Sequence, residues 1–340
     1  LFSVRHFGMW KINDNFATDV MYGNYYIMAK GKEKTDTKKI AGLSAFMNIK
    51  TDFGFKKTFG DKTLLIAFLN AILNRKIADI EYLQTEQLGY IKENRKAVYD
   101  VYCTGVTGER FIVEMQASPQ PYFMERILFY MAYPVISQAP KGKVTGKNSK
   151  GEEVKIPWDY SISGVYMICI LDSIIFPEEK AKDTVTERLQ IVRKEANETA
   201  TGKWEVITIE LPKFDKTEDD LETDVDKWLY SIKNMEKLSE CPKNFNEGIF
   251  RELYEKSKIN NLTEREMKTY GKSIWEYDDV ILGMRRSRDE GREEGRNEGI
   301  KEGISKLVRN CYKNGKSIVQ IAEFTGVPEK EIKTILEIVN

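Results

Sequence analysis

The chain has 340 residues, and its 53 basic and 53 acidic side chains give a formal net charge of zero. This length predicts about two domains, and a hydrophobic content of 41% is enough for a packed core, which excludes a wholly disordered chain. The neutral balance argues against a highly basic coat protein, so any nucleic-acid surface must be a local patch. The single histidine, His6, excludes catalytic triads, dyads and metal sites that need an imidazole in the body of the protein. The chemistry of this chain must therefore use carboxylates, Lys, Gln, Tyr, Ser or Cys.

The four cysteines are widely spaced and include no CxxC pair, so neighbouring cysteines cannot form a zinc ribbon or a redox motif. Cys103 and Cys169 lie in apolar runs and are predicted to be small core residues. No apolar stretch approaches the ~20 residues that a membrane span needs, and the first residues lack the apolar region of a signal peptide. These features predict a cytoplasmic protein with reduced thiols and no membrane partner.

The chain changes character along its length, and these changes predict its domains. Residues 1–45 lack periodicity and end in a Lys-rich linker, so we expect an N-terminal extension that is poorly ordered or loosely docked. Residues 46–215 carry the clearest α/β pattern, and residues 216–284 have a helical pattern. Residues 285–340 combine a glycine repeat with a small helical module.

The α/β region contains apolar runs of both helical and strand type. LLIAFLNAIL (64–73) is apolar and of helix length. Two runs rich in β-branched and aromatic residues, RKAVYDVYCTG (95–105) and RFIVEMQA (110–117), flank the hairpin signal GVTG. Residues 121–137 have helical spacing, and residues 161–172 form a continuous apolar run that is typical of a strand buried on both faces.

The region that follows mixes charge with helical patterns. ERLQIVRKEA (187–196) and two longer segments within residues 219–286 predict helices. KWEVITIEL (203–211) interrupts them and predicts a strand.

The last part of the chain begins with a regular repeat. Glycine recurs at every fourth residue, at Gly291, Gly295, Gly299 and Gly303, between helix-favouring Glu, Arg and Lys. The glycines would form one stripe along a helix, so the segment predicts either a self-associating helix, and hence a homo-oligomer, or a flexible and partly helical connector.

Residues 316–336 predict two short helices broken at Thr325-Gly326, which would form a small helix-turn-helix-like module. The glutamates on its exposed face favour packing or assembly over DNA reading. The residues expected to form its core are Ile318, Ile321, Ala322, Val327, Ile332 and Ile335.

The predicted hairpin places two acids opposite each other. In an antiparallel hairpin, a loop centred near residue 107 pairs Asp100 with Glu114, and directly opposed Cβ atoms are about 4.5–5.5 Å apart. Gln116 lies two residues beyond Glu114 and therefore points to the same face. Both acids lie in otherwise apolar runs, where facing carboxylates are costly. A divalent cation between them would remove that cost, because hard cations such as Mg²⁺ take oxygen ligands. The alternative is a solvent-facing strand with two ordinary acids, since a one-residue slip would separate them.

These runs resemble a known family. TDFGFKKTFG (51–60), LLIAFLNAIL, NRKAVYDVYC and FIVEMQASPQPYFMERILFYMAY follow one another as in the PD-(D/E)XK nuclease family transposases, which are bacterial proteins grouped with the recombination-promoting nucleases. The resemblance covers residues 47–340 and implies an α/β fold with a restriction-endonuclease-like αβββαβ core, followed by a helical C-terminal region. The implied core elements are helix 62–74, strands near 78–90, 95–104 and 110–117, helix 121–137 and strand 161–172.

The resemblance also implies a site. Asp100 corresponds to the Asp of the family motif and Glu114 to its second acid, so both would be catalytic and would bind Mg²⁺ or Mn²⁺. Gln116 occupies the position usually held by Lys, and Gln can hydrogen-bond to water but carries no charge and cannot act as a base. A lysine from elsewhere, Lys56 or Lys96, could substitute for it, or the site could be weak or inactive.

Other polar residues are candidates for accessory contacts. Asp52 could approach the metal, and Lys56 or the lysine after it could touch phosphate, although this segment could equally be a packed N-terminal turn. Gln120, Arg126 and Tyr130 follow the acidic strand and could line a DNA groove. Arg126 and Tyr130 lie four residues apart on one helix face, but ordinary helix–sheet packing with a surface Arg would also explain them.

From the resemblance we expect a Mg²⁺-dependent DNA endonuclease that hydrolyses phosphodiester bonds in recombination or in the movement of mobile elements. The first competitor is a non-catalytic DNA-binding or assembly protein that retains the nuclease fold, which Gln116 and the neutral charge favour. The second is an RNase H-like transposase, which needs a third acid from a later helix that the sequence does not place.

Overall fold

The computed structural model describes residues 44–87, 97–140, 144–147, 150–177, 181–245 and 247–337. The predicted N-terminal extension lies almost entirely outside these residues, as does the candidate Lys96. The chain forms two compact units that divide between Asp278 and Asp279.

The first unit combines helices with strands. Its helices are α1 (Asp52–Phe59), α2 (Lys62–Leu73), α3 (Phe123–Ile136), α4 (Asp224–Asn234) and α5 (Gly248–Ser257), and α6 (Glu264–Lys313) begins in it. The strands are β1 (Ile80–Tyr82), β2 (Glu86–Gln87), β3 (Ala97–Val98), β4 (Val101–Gly105), β5 (Arg110–Gln116), β6 (Val144–Lys147), β7 (Glu153–Ile156), β8 (Val165–Leu171), β9 (Thr186–Gln190), β10 (Val192–Arg193), β11 (Glu198–Thr199) and β12 (Trp204–Glu210).

Six strands form one mixed sheet in the order β1-β4-β5-β8-β12-β9. β5, β8 and β12 are parallel to one another, whereas β1, β4 and β9 are antiparallel to their neighbours. The carboxyl ends of the three parallel strands therefore share one edge of the sheet, which we call the carboxyl edge. The start of β4 lies at the same edge because β4 runs antiparallel to β5.

Helices cover both faces of this sheet. Val113, Ile168 and Ile207 lie on one face and share a buried cluster with α1, α2, α4 and α5. Ile112 and Met167 lie on the other face and pack against α3. Position 215 is where the sequence analysis divides the α/β region from the helical region, and residues on both sides of it contribute to the first cluster. The predicted α/β class is therefore confirmed as a mixed sheet between helices, and the predicted core residues Cys103 and Cys169 are buried on opposite faces.

The local sequence explains how α1 and α2 begin. Thr51 caps α1 by accepting a hydrogen bond from the Gly54 N–H, and Asp61 caps α2 by accepting from two N–H groups of its first turn. A Cβ atom on Gly54 would lie 2.1 Å from the backbone oxygen of Asn48, so only glycine allows this close approach. The segment is thus a packed N-terminal turn, with Asp52 exposed on its surface.

One predicted helix is wrong. Residues 187–196 do not form a helix. Thr186–Gln190 instead forms β9, the last strand in the order of the sheet, which is antiparallel to β12, and Val192–Arg193 forms β10. The short apolar pattern of this segment suits a half-buried edge strand as well as a helix, and pairing with β12 decides between them. Between α3 and β8, strands β6 and β7 pair as an antiparallel hairpin.

The secondary-structure elements described in the second unit are all helices. It contains the end of α6 together with α7 (Ile318–Thr325) and α8 (Glu329–Ile335). α7 ends at Gly326, whose φ of 72° is left-handed, so the predicted break is confirmed. The buried side chains that join the three helices are Val308, Cys311, Ile321, Val327 and Ile332, with Ile318, Ala322 and Ile335 packed around them.

The glycine repeat lies within α6. A Cβ atom added at any of the four glycines would meet no other atom within 4 Å, and the residues between them are exposed. In the part of the chain that the structure describes, no helix is both long enough and apolar enough to cross a membrane, α6 included.

Candidate functional site

The β4–β5 hairpin aligns two acids at the carboxyl edge. Val101 faces Val113 and Tyr102 faces Ile112, which is the predicted register. One residue further along, Asp100 directly precedes β4 and lies opposite Glu114. We call Asp100 and Glu114 the acid pair.

Backbone groups of the opposite strand hold each acid of the pair. The Asp100 N–H donates a hydrogen bond to Glu114 Oε1 at 3.2 Å, and the Met115 N–H donates to Asp100 Oδ2 at 2.9 Å. Gln116 Nε2 donates to the second carboxylate oxygen of Glu114 at 3.3 Å. The structure therefore brings the three predicted catalytic residues into one hydrogen-bonded group.

Glu114 of the acid pair is buried and Asp100 is half-buried, and this changes how both carboxyl groups titrate. Glu114 is 3% exposed, and its burial, with the neighbouring charge of Asp100, raises its pKa to about 8. Burial also raises the pKa of Asp100 above its ordinary value. Without a cation, the Glu114 carboxyl group therefore favours its protonated form.

Two helices bring charged side chains to the acid pair. From α1, the charge of Lys56 lowers the pKa of Asp100 and that of Asp52 raises it, although both effects are smaller than that of burial. Lys56 and Asp52 are exposed and form an ion pair with 2.6 Å between Nζ and Oδ1. From α3, the charge of Arg126 lowers the pKa of both acids.

Arg126 and Tyr130 form a unit on α3. Arg126 Nη2 donates to the Tyr130 hydroxyl at 3.0 Å, and the guanidinium carbon lies 4.8 Å from the centre of the Tyr130 ring. The backbone oxygen of Tyr130 accepts from the Tyr99 hydroxyl at 2.9 Å, which ties α3 to the residue before Asp100.

The remaining candidates are placed differently. Gln120 is half-buried in the segment between β5 and α3. Lys57, the lysine after Lys56, forms an ion pair with Glu266. Lys96 lies outside the described residues.

A second polar cluster at the carboxyl edge was missed by the sequence analysis. Asp172 follows β8, and its N–H donates to the Gln116 backbone oxygen at 2.9 Å. Its carboxylate lies 3.3 Å from Lys50 Nζ and accepts a hydrogen bond from the Tyr277 hydroxyl. Burial opposes the charge of Lys50, but the carboxylates of Glu236 and Asp172 raise its pKa well above the usual range. The available signal was the position of Asp172 at the end of a buried parallel strand, where binding sites of α/β sheets collect.

The donor set limits which ions could bind. Among the described residues, no group of three or more His, Cys, Asp or Glu side chains could hold a metal ion. Two carboxylates fit Mg²⁺ or Mn²⁺ better than a structural zinc, because Mg²⁺ keeps several waters and completes its shell with substrate phosphates. The raised pKa of Glu114 fits the same interpretation, since a cation would offset the repulsion between the acids.

The chain thus combines a mixed α/β fold with paired carboxylates at the carboxyl edge. A family model for the PD-(D/E)XK nuclease family transposases matches residues 49–285, and the chain belongs to this family. PD-(D/E)XK nucleases generally use divalent metal ions. Searches of curated proteins and of solved structures gave no match. The family match ends before the glycine repeat, so residues 286–340 lie beyond it.

Proposed function

We propose that this protein is a metal-dependent DNA endonuclease that hydrolyses phosphodiester bonds in recombination or transposition. In this proposal, α2, β1, β4, β5, α3 and β8 form the αβββαβ core, and the acid pair binds Mg²⁺ or Mn²⁺. The observation that carries it is the facing position of a buried and a half-buried carboxylate, Glu114 and Asp100, each held by the backbone opposite it. The four cysteines are free thiols, which suits the reducing cytoplasm that we propose as its location.

Each polar side chain would have a defined task. A bound cation would supply Lewis-acid chemistry at the phosphate and lower the pKa of a water molecule. Asp100 and Glu114 would hold it through their carboxylate oxygens. Gln116 would orient the attacking water through its amide, since its Nε2 already reaches the Glu114 carboxylate. Arg126 and Lys56 would contact phosphate oxygens beside the cleaved bond, because both act electrostatically on Asp100.

Cleavage of supercoiled plasmid tests this proposal. With Mg²⁺ or Mn²⁺ the protein should convert the plasmid to nicked or linear forms, and EDTA should stop it. Asp100→Asn should abolish cleavage. Without metal, the melting temperature of this variant should stay unchanged or rise slightly, because the substitution removes a repelling charge. Glu195→Gln serves as a control for loss of a negative charge, since Glu195 is exposed in a turn after β10. Full activity of the Asp100→Asn variant would refute the assigned role.

The alternative is a non-catalytic DNA-binding or assembly protein that retains the fold. The observations that favour it are Gln116 at the position of the motif lysine and the pairing of Lys56 with Asp52, which leaves the acid pair without an uncompensated lysine from α1. Metal-independent background cleavage that is equal in wild type and Asp100→Asn would support this alternative.

A further inference from the structure

Tyr122 combines a strained backbone with an exposed aromatic ring. It is the residue before α3, and its φ of 56° and ψ of 42° lie in the left-handed region. Residues with a Cβ atom seldom adopt this conformation, and strain of this kind is concentrated at functional sites. The side chain is 79% exposed, so burial of the ring does not offset the strain.

The segment that carries Tyr122 leads directly from the candidate site. Residues 117–122 connect Gln116, at the end of β5, to the start of α3. Pro119 and Pro121 restrict the backbone of this connection, because proline fixes φ. The Tyr122 ring is therefore presented by a short and stiff connection.

Contacts along α3 place Tyr122 at the carboxyl edge. The Arg126 N–H donates to the Tyr122 backbone oxygen at 2.9 Å, so Tyr122 lies one helical turn before the arginine whose charge acts on both acids. After the other end of α3, Gln138 hydrogen-bonds to Ser163, which precedes β8 at the opposite edge of the sheet. The helix thus starts at the acid pair and runs away from it.

We propose that Tyr122 stacks on an unpaired base of the DNA strand whose phosphate lies at the acid pair, so that the substrate is single-stranded or locally unpaired DNA. This inference rests on the proposed function. Stacking on an aromatic ring accepts every base, because every base has a π-face. A base within a regular duplex is already stacked between its neighbours and cannot reach an external ring unless it is extruded. Arg126, one turn further on, would contact the adjoining phosphate.

The same helix offers a competing explanation. Met124, Leu128 and Phe129 are exposed along α3 by 38%, 58% and 39%, so Tyr122 could instead begin an apolar surface for another protein chain. The position of Tyr122 beside Arg126 and the acid pair favours DNA, because this end of the helix carries the charge that phosphate needs. The test below separates the two.

The chain provides a closely matched control in Tyr160. This residue also has a left-handed backbone, with φ of 61°, and is also 79% exposed. It lies in the segment before β8, at the edge of the sheet opposite the acid pair, where its ring contacts Trp158. Loss of an exposed tyrosine ring at a left-handed backbone position is thus matched between Tyr122→Ala and Tyr160→Ala.

Binding can be measured with the full chain in EDTA, by fluorescence anisotropy, so that the result does not depend on cleavage. The probes are a single-stranded oligonucleotide, a duplex of the same sequence with a central unpaired bubble, and the fully paired duplex. We expect Tyr122→Ala to weaken binding to the first two probes by about 5- to 100-fold, and to leave the fully paired duplex unaffected. Tyr122→Trp should retain binding, and Tyr160→Ala should bind all three probes as wild type does. Thermal melts of each variant verify folding.

Two results with the Tyr122→Ala variant would overturn the inference. In the first, Tyr122→Ala binds the single-stranded and bubble probes as tightly as wild type. In the second, Tyr122→Ala leaves DNA binding intact but lowers the sedimentation mass of the protein, which assigns this surface to a second copy.

The proposed endonuclease function can be rejected independently of the stacking role of Tyr122. If wild type binds the bubble probe through Tyr122 but cuts no plasmid with any metal, the endonuclease is rejected and the stacking role is supported. If wild type binds none of the probes, the stacking role is rejected, and if it also cuts no plasmid with any metal, the endonuclease is rejected as well.

Discussion

Glu114 is a carboxyl group whose surroundings favour its protonated form. Burial and the neighbouring Asp100 raise its pKa from 4.5 to about 8. An acid with a higher pKa in the folded state binds its proton more tightly when folded, so folding becomes less favourable as pH rises through this interval. The shift corresponds to on the order of a few kcal/mol.

In the absence of divalent metal, we therefore expect the melting temperature to fall between about pH 5 and pH 8 and to level off above. Acids with lowered pKa values, such as Glu266 with a pKa of about 2, stabilise the fold when ionised. They lose this contribution to stability only at lower pH, outside this window. Thermal melts in EDTA across the pH range measure the slope. Glu114→Gln should remove most of it, and Asp100→Asn should reduce it because one repelling charge is gone. An equal slope in wild type and Glu114→Gln would show that Glu114 does not titrate in this way.

Gln116 separates an active nuclease from a protein that only retains the fold. Its amide hydrogen-bonds to Glu114, so it is placed to orient a water molecule beside the acid pair. We expect Gln116→Ala to lower the cleavage rate by roughly 10- to 100-fold, because misplacing a reacting group by about 1 Å can cost that much. Gln116→Lys should equal or exceed wild type, since a lysine could stabilise negative charge that develops on the phosphate. Single-turnover plasmid cleavage with Mg²⁺ compares the three proteins.

Lys56 is the other residue that this series must test. It is the lysine from α1 whose charge reaches Asp100, so it is the described candidate for the missing motif lysine. If Lys56 has taken over that task, Lys56→Ala should cripple wild type and Gln116→Lys should rescue it. Equal rates for Gln116→Ala and wild type would mean that Gln116 only fills space.

At the scale of single elements, the hairpin was the most predictable part of the site. The register of β4 and β5 depends on a loop of a few residues, so Asp100 and Glu114 could be aligned from spacing alone. Lys50 and Asp172 are far apart in sequence, and their ion pair depends on packing of the N-terminal turn against the end of β8, which no local pattern reveals. The helix predicted over 187–196 was wrong for the same reason. The segment forms β9 because it pairs with β12, which is distant in the local pattern.

The turn before α1 is an element whose geometry depends on one glycine. A Cβ atom at Gly54 would lie 2.1 Å from the Asn48 oxygen and 2.9 Å from Thr51 Oγ1, and the first of these atoms belongs to the backbone and cannot rotate away. We expect Gly54→Ala to destabilise the protein by about 1–3 kcal/mol. Urea unfolding measures the change.

Gly271→Ala is the matched control for this substitution. Gly271 lies inside α6, where an added Cβ atom meets nothing within 4 Å, so alanine there should leave stability unchanged or raise it by up to about 1 kcal/mol. If both variants unfold at the wild-type urea concentration, the close approach at Gly54 does not constrain the turn.

At the scale of the whole molecule, the second unit extends beyond the family match and carries the glycine repeat. An exposed helix with four interior glycines is costly in a single chain, because each glycine costs up to about 1 kcal/mol relative to alanine. We propose that association with a second copy offsets this cost, which would make the protein a homo-oligomer. The glycine row would allow close approach of two such helices.

The charges beside the glycines favour a particular orientation of the two copies. Residues that follow the glycines include Arg292 and Arg296, and residues that precede them include Glu294 and Glu298. One side of the glycine row is therefore basic and the other acidic. When two such helices face each other in parallel about a two-fold axis, each basic side meets an acidic side. In the antiparallel arrangement like charges meet, so the parallel pair is expected.

Gly295→Leu tests this arrangement, because a leucine in the centre of the row would hold the helices apart. We expect wild type to sediment as a dimer and Gly295→Leu to shift toward the monomer by roughly 10-fold or more in dissociation constant, equivalent to about 1.4 kcal/mol. Asn297→Leu is the matched control, since it adds the same side chain two residues along the same exposed helix but outside the glycine row. Raising the salt concentration should weaken the dimer, because its flanking ion pairs are exposed and screened. A wild-type chain that sediments as a monomer, with Gly295→Leu indistinguishable from it, would leave the repeat as a helical connector.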